Sequence, residues 1–460
     1  MSLLARFVLI VLALLSFLST SALAAEWRDV TEDRLLKAEG DAANWLMYNR
    51  TYSGWRHSPL AQVNAGNVKK LVPKWIFAGG TLGDQQMTPI VNDGVMFTTS
   101  TSLSLNRVQA VNAATGDLLW KHDRKIPEDV GALVRVIPHN RGVALYKDKV
   151  IFGTLDAYLV ALDAKTGKQA WETKIADYAD GYFMSGAPLV AKGKIVIGIA
   201  GPGEMGPRGF IEAFDADTGK SRWRWYSIPA AGEPGSETWP ADTWKIGGGA
   251  VWHAGTYDPS TNLLYFGTGN PAPWIADMRK GDNLYTMSAV ALDLDTGTLK
   301  WHFQYLPNDA WDYDTTAEHH VIDVVRNGQT RKAVVQANKL GYVYTLDRVT
   351  GQFLSAVPFI KSLNWGGPDP ATGKARENAG RRPTMGGPPS RSAPHCSAGR
   401  AGSPRSSIRR PAICTFRQTS SACGTPTWLI SRTSAVSSLQ GSPPSTSAGL
   451  SRRASCARST

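Results

Sequence analysis

Short apolar runs, alternating or unbroken and bounded by turn residues, recur along the chain. Lys149-Val150-Ile151-Phe152-Gly153-Thr154 and Lys194-Ile195-Val196-Ile197-Gly198 are two of them, and runs of this length predict β-strands. One phrase follows such runs five times: Ala-x-Asp/Asn-x-x-Thr-Gly-x-x-x-Trp. Four copies end at Trp120, Trp171, Trp223 and Trp301, and a weaker fifth begins at Thr345 and ends at Ser355. Their glycines are Gly116, Gly167, Gly219, Gly297 and Gly351, at intervals of 51, 52, 78 and 54 residues. Each copy predicts a hairpin. Asp163 can accept backbone N–H groups two residues on, Gly167 supplies a positive φ, and the return strand carries Trp171 inward. Units of about fifty residues with several strands and one large aromatic at a fixed place read as blades of an all-β propeller. The tryptophans are then packing between blades, not ligand contacts. The 78-residue interval is longer than its neighbours by about 26 residues, and the excess is expected between Tyr226 and Val251, a Gly/Pro/Trp-rich loop. Long insertions on a rigid scaffold are where sites are built. Because the phrase is still running at Gly351, an incomplete propeller with two open faces is expected.

Composition changes this picture at both ends. Of 460 residues, 42% are hydrophobic and 19% charged, a globular balance. The formal charge of +12 invites a nucleic-acid partner, but Arg381–Thr460 holds 12 Arg and no Lys, Asp or Glu, leaving the preceding 380 residues neutral. Without a basic body, nucleic acid is excluded as the partner. The same stretch holds all four cysteines (Cys396, Cys414, Cys423, Cys456), and residues 390–460 hold 18 Ser. A Ser/Arg/Pro/Ala/Gly mixture lacking Lys and acids is what a GC-rich gene gives when read out of frame. Residues 386–460 are therefore expected to be a disordered, off-frame tail whose cysteines carry no function. At the amino terminus, Arg6, the apolar run Phe7–Leu18 and the small-residue stretch ending Ala22-Leu23-Ala24 form a secretory signal peptide, residues 1–24. Membrane contact is then limited to export. The exported body, 25–385, has no cysteine and must be held by a large core.

Four phrases carry a resemblance to a known family: Ser58-Pro59-Leu60-Ala61-Gln62-Val63-Asn64, Gly203-Glu204-Met205-Gly206-Pro207-Arg208-Gly209-Phe210, Gly267-Thr268-Gly269-Asn270-Pro271-Ala272-Pro273-Trp274 and Asn308-Asp309-Ala310-Trp311-Asp312-Tyr313-Asp314. They resemble the pyrroloquinoline quinone (PQQ) dependent alcohol dehydrogenases of the methanol/ethanol type, over roughly residues 26–380. The resemblance implies an eight-bladed quinoprotein propeller, of which about five blades are visible here. It also implies a periplasmic enzyme that oxidises a primary alcohol to an aldehyde by hydride transfer to metal-activated PQQ, with electrons passed to a c-type cytochrome. The sequence itself has no C-x-x-C-H haem motif.

By the same resemblance Glu204 and Asn270 bind a cation, Asp312 touches it and acts as general base, and Asp314 adds a fourth oxygen donor. Four oxygen donors without His or Cys suit a hard cation and not zinc. A carboxylate at position 314 is similar to the lanthanide branch of the family, so calcium and a lanthanide are both open. Singly, each of these residues also reads as an ordinary loop carboxylate, turn residue or cap. PQQ is a flat tricarboxylate that needs an aromatic floor and a cationic or hydroxylic rim. Trp252 matches the stacking tryptophan, Arg141 the carboxylate-binding arginine, Ser185 a hydroxyl position, and Lys339 the cation beside the reactive carbonyls. Two positions depart from the pattern. Arg135-Val136 stand where the family carries vicinal cysteines, and Gln86 stands where it carries a glutamate. The competing reading is a non-catalytic PQQ-like propeller that serves as an envelope scaffold or interaction platform, or an inactive truncated pseudoenzyme.

Overall fold

The computed structural model describes residues 27–81, 86–134, 138–201, 206–326 and 328–384, with two further strands at Phe416–Thr419 and Thr427–Ile430 that pair antiparallel. The expected signal peptide and most of the expected tail lie outside the described residues. The rest is built from five four-stranded antiparallel sheets, each a simple meander in chain order. The first is β1 (Ile90–Asn92), β2 (Val95–Ser102), β3 (Leu105–Asn112) and β4 (Leu118–Lys125). The second is β5 (Ala144–Tyr146), β6 (Lys149–Gly153), β7 (Tyr158–Asp163) and β8 (Gln169–Lys174). β9 (Leu189–Ala191), β10 (Lys194–Gly198), β11 (Phe210–Asp215) and β12 (Ser221–Tyr226) form the third. β13 (Thr256–Asp258), β14 (Leu263–Gly267), β15 (Ser288–Asp293) and β16 (Leu299–Gln304) form the fourth, and β17 (His320–Arg326), β18 (Gln329–Ala337), β19 (Tyr342–Asp347) and β20 (Phe353–Pro358) the fifth. These are five blades of a β-propeller. The first strands β5, β9 and β13 are wholly buried, whereas the last strands β4 and β8 alternate between exposed and half-buried residues.

The repeated phrase is the joint between blades. In the second copy Asp163 Oδ1 accepts the N–H groups of Lys165 and Thr166 at 3.2 and 2.8 Å. Gly167 then takes φ +70°, and a Cβ there would sit 2.5 Å from the ring of Trp120, which belongs to the blade before. Trp120 Nε1 donates to Ala164 O at 2.9 Å. The ring needs a glycine beneath it, and the turn needs a residue free of Cβ strain. The same seat recurs for Trp171 on Gly219, Trp223 on Gly297 and Trp301 on Gly351.

Three features go beyond the five-copy reading. Trp75 occupies the same seat on Gly116, ahead of the first blade, and donates to Ala113 O at 3.2 Å. A sixth turn, Asp369–Gly373, closes a two-stranded hairpin, β21 (Gly366–Pro368) with β22 (Ala375–Glu377), and its Gly373 is covered by Phe353 in place of a tryptophan. The extra length in the 78-residue interval is also divided. Part lies in the β12–β13 connection, residues 227–255, and part in the β14–β15 connection, residues 268–287.

The segment before β1 laces the blades together. Val30 bridges Lys147, Trp45 bridges Val91, Tyr52 Oη donates to Val190 O at 2.8 Å, and Trp55 Nε1 donates to Val321 O at 2.7 Å. Four of the five first strands or their ends are thereby tied to one stretch of chain. Among the described residues no helix is long and apolar enough to cross a membrane.

Candidate active site

In a four-stranded meander the 1–2 and 3–4 turns emerge at one end, while the 2–3 turn and the exit to the next blade emerge at the other. The repeated Asp-x-x-Thr-Gly turns are 3–4 turns and define the first end. The expected site residues lie in the opposite set of connections. Arg141 follows β4, Ser185 follows β8, Trp252 follows β12 and Asp312 and Asp314 follow β16, while Asn270 and Lys339 sit in the 2–3 turns of the fourth and fifth blades. Topology alone therefore brings them to one face. Glu204, in the 2–3 turn of the third blade, lies outside the described residues, as do Arg135 and Val136.

On that face the residues fall into two linked groups. The first is centred on Arg141, whose side chain is 5% exposed. Its guanidinium donates to Ser185 Oγ at 3.0 Å, to Trp252 O at 3.1 Å and to Gln86 Oε1 at 2.8 Å, and lies 4.8 Å from the centre of the Trp252 ring. Gln86, Arg141, Ser185 and Trp252 thus converge from four separate connections. A fixed guanidinium fork beside a half-buried indole is suited to a planar carboxylate-bearing ligand.

The second group is centred on Asp314. Its Oδ1 accepts the Asn270 N–H at 3.1 Å and its Oδ2 accepts from Lys339 Nζ at 2.9 Å. Burial works against the Lys339 charge, but Asp314 and then Asp312 beside it outweigh this and raise its pKa, so the side chain is a fixed ammonium at neutral pH. Asn270 is 4% exposed and its Nδ2 has no partner among the described residues. A Cβ on Gly269 would meet Ala250 O at 2.9 Å and Asp314 Oδ1 at 3.0 Å, so only glycine admits the two loops this close. The groups are joined by main chain: Gly248 bridges Pro271, and Gly249 N donates to Asn270 O at 2.9 Å, a few residues before Trp252.

Among the described residues no three His, Cys, Asp or Glu side chains form a cluster able to hold a metal. The oxygen donors on this face are two carboxylates, Asp312 and Asp314, and the Asn270 amide, and all are hard ligands. With the Arg141 fork, the Lys339 ammonium and the Trp252 floor, the residues present fit a cation together with a flat polyanionic cofactor.

Sequence reasoning missed the layer behind Trp252. Glu318 Oε1 lies 3.2 Å from both His253 Nδ1 and Arg56 Nη2, and the His253 ring is 4.4 Å from that of Trp252. Burial lowers the His253 pKa and keeps the imidazole neutral. Burial also opposes ionisation of Glu318, but His253 and Arg56 reverse the balance and hold its carboxyl well below the usual range. Asn364 and Trp365 were missed as well. Asn364 Oδ1 accepts from Tyr313 Oη at 2.5 Å, while Trp365 Nε1 donates to Leu340 O at 2.9 Å, so the stretch leading into β21 holds both the Asp312 loop and the Lys339 loop. None of these lies in a repeated phrase, and no local pattern marks them.

The sequence model of a family described as "PQQ: Glucose/ethanol/alcohol dehydrogenase, beta-propeller domain" matches residues 45–359. The chain belongs to this family. It is 44% identical over 331 residues to the quinoprotein alcohol dehydrogenase PedH of Pseudomonas putida, which covers 68% of this chain and 54% of that protein. It is 42% identical over 387 residues to the quinohemoprotein alcohol dehydrogenase ADH IIB of Pseudomonas putida, with 80% and 55% covered. Among solved structures a europium-containing methanol dehydrogenase superposes with a TM-score of 0.73 at 34% identity, over 77% of this chain and 65% of that one. The chain spans about half the length of the curated relatives it matches. The five blades therefore correspond to one portion of a PQQ dehydrogenase propeller.

Proposed function

We propose that this chain carries the cofactor-bearing portion of a periplasmic PQQ-dependent dehydrogenase that oxidises a primary alcohol to an aldehyde. The single observation behind this reading is the convergence of Asn270, Asp314 and Lys339 in one hydrogen-bonded group, joined by main chain to the Arg141–Trp252 group. A scaffold propeller has no need of a half-buried ion pair with a buried amide held against it on this face. PQQ, when bound beside a cation, supplies an electrophilic quinone carbonyl that accepts the hydride of the alcohol.

The chain's own residues divide the remaining tasks. Trp252 offers a face for the flat ring system, and Arg141, steadied by Gln86 and Ser185, offers its fork to a carboxylate. Asn270, Asp312 and Asp314, with Glu204 by resemblance, would hold the cation. Asp312 takes the hydroxyl proton of the alcohol onto its carboxylate as the carbinol hydrogen departs. Lys339 places a positive charge beside these carboxylates, and it would stabilise charge that develops on a bound quinone. The second carboxylate at Asp314, with the europium-containing structural relative, supports a lanthanide, and calcium is the other arm of the test. Export through residues 1–24 and a c-type cytochrome as electron acceptor complete the reading; the relatives named quinohemoproteins and dehydrogenase subunits support the latter.

The test is reconstitution of the full chain with PQQ and either Ca²⁺ or La³⁺, followed by dye reduction with methanol and ethanol. Turnover that needs PQQ, cation and alcohol together is the expected result. No quenching of tryptophan fluorescence by PQQ, and no dye reduction with either cation, sinks the proposal.

A further inference from the structure

Asp309 lies three residues before the proposed base and is 1% exposed. Nothing in the proposed chemistry uses it. Its Oδ1 accepts the Trp311 N–H at 2.9 Å and its Oδ2 accepts the Tyr313 N–H at 3.0 Å, so its two oxygens grip the main chain on both sides of Asp312. That stretch needs holding. Asn308, Asp312 and Asp314 all lie at positive φ, +46°, +62° and +39°, a region costly for residues other than glycine. Behind it Arg279, fully buried, donates to Pro273 O at 2.7 Å and Trp274 O at 3.1 Å on the Asn270 loop, and also to Asp309 O. Asn308 Nδ2 closes the brace by donating to Arg279 O at 2.7 Å.

We infer that Asp309 is a positioning residue. Its carboxylate fixes the main chain that aims Asp312 and Asp314, while Arg279, bonded to the Asp309 carbonyl, holds that main chain in register with the Asn270 loop. This rests on the functional reading above, since it assigns Asp309 a role through Asp312. A neutral amide keeps one acceptor and turns a donor toward the other N–H, so Asp309→Asn loses one grip and Asp309→Ala loses both. Losing a group that orients a metal ligand typically costs roughly 10–100-fold in affinity or activity, and slight misplacement of a reacting group costs on the order of 100-fold.

The experiment titrates Tb³⁺ into the PQQ-loaded full chain and follows tryptophan-sensitised emission, with dye-linked kinetics on ethanol in parallel. Asp258→Asn is the control, because Asp258 is equally buried, pairs with Arg348 at 2.7 Å and lies at the opposite end of the blades. The expected order of Tb³⁺ affinity is wild type, then Asp309→Asn, then Asp309→Ala about 10-fold or more below wild type. The value of kcat should fall in the same order with KM for ethanol little changed. Asp258→Asn should lower the unfolding temperature and leave Tb³⁺ affinity alone. Tb³⁺ affinity and kcat in both Asp309 variants equal to an active wild type overturn the inference and leave the functional reading standing. If the wild type neither binds Tb³⁺ nor turns over, the functional reading falls and the role of Asp309 falls with it.

Discussion

The two ends of the blades are built on opposite plans. At the turn end Asn112, Asp163, Asp215, Asp293 and Asp347 each accept N–H groups two and three residues on, and the glycine that follows seats an aromatic ring from the blade before or, for Gly116, from the segment ahead of the first blade. Every 3–4 turn does the same work and puts its positive φ on glycine, where it costs little, while the 1–2 turns at this end place Asp93, Lys147, Lys192 and Asn262 at positive φ. At the site end no two connections are alike, and positive φ falls on Asn308, Asp312 and Asp314, where it is paid for by buried hydrogen bonds. Repetition at one end makes a scaffold stiff enough for the other end to be irregular.

The largest effect expected from breaking this contrast is chemical and leaves the scaffold untouched. Asp312→Asn removes the proton acceptor while keeping shape, and should lower kcat of the reconstituted protein by roughly 100- to 10,000-fold. Thermal unfolding should stay within a degree or two of wild type. An equal loss of stability would mean that Asp312 serves the fold and that the two ends are not separable.

Next in size is a pair of glycine substitutions, one at each end. Gly167→Ala forces a Cβ to 2.5 Å from the Trp120 ring at φ +70°, while Gly232 in the β12–β13 connection has φ +84° and nothing within 4 Å. Gly232→Ala meets only the backbone penalty, about 1 kcal/mol. Gly167→Ala adds overpacking of the ring seat and should cost about 3 kcal/mol in urea unfolding. Equal losses would show that the ring seat contributes nothing beyond the turn.

The same contrast explains what could be read from residues alone. The turn end is written in local sequence: Asp to Thr to Gly to Trp spans a single hairpin, so five blades and their joints were legible. The site end is legible only where a phrase is distinctive, as at Asn270 or Asp312. The Glu318–His253–Arg56 group joins residues 56, 253 and 318, which no window along the chain contains. Asn364 and Trp365 act on loops 25 to 51 residues away and share no repeat with them. Asp309 stood inside a recognised phrase, but the inferred role depends on both its oxygens facing forward along its own loop to the N–H groups of Trp311 and Tyr313.

A smaller effect sharpens the electrostatic side of the comparison. The Lys339 pKa is raised above its ordinary 10.5 in the folded protein, because Asp314 and Asp312 outweigh burial. The sign follows from linkage: its contribution to stability is fully present below about pH 10.5 and is lost as pH rises through the higher folded-state value. Urea unfolding of the wild type should therefore weaken on the alkaline side more steeply than that of Lys339→Gln. Parallel pH curves would mean that the ammonium gains nothing from its carboxylates. Turn-end lysines such as Lys147, exposed beside Asp217, should show little of this because solvent screens them.

The smallest effect concerns the fifth blade, where the turn end departs from its own rule. In the first four blades the docking tryptophan lies opposite an alanine on the neighbouring strand: Trp120 with Ala110, Trp171 with Ala161, Trp223 with Ala213, Trp301 with Ala291. In the fifth, Ser355 lies opposite Thr345, and the ring over the next glycine comes from Phe353, two positions earlier. The small residue that opens the phrase and the tryptophan that closes it are thus one packing unit, and the fifth copy has changed both ends together. Restoring only the tryptophan should not restore the joint. Ser355→Trp finds a branched Thr345 in place of alanine and a seat on Gly373 already filled, so it should shift stability by no more than about 0.5 kcal/mol. Ser355→Trp with Thr345→Ala and Phe353→Leu should recover a tryptophan joint, read as a gain over Phe353→Leu alone. If Ser355→Trp by itself stabilises the protein markedly, the seat on Gly373 is not occupied as described and the alanine plays no part in docking.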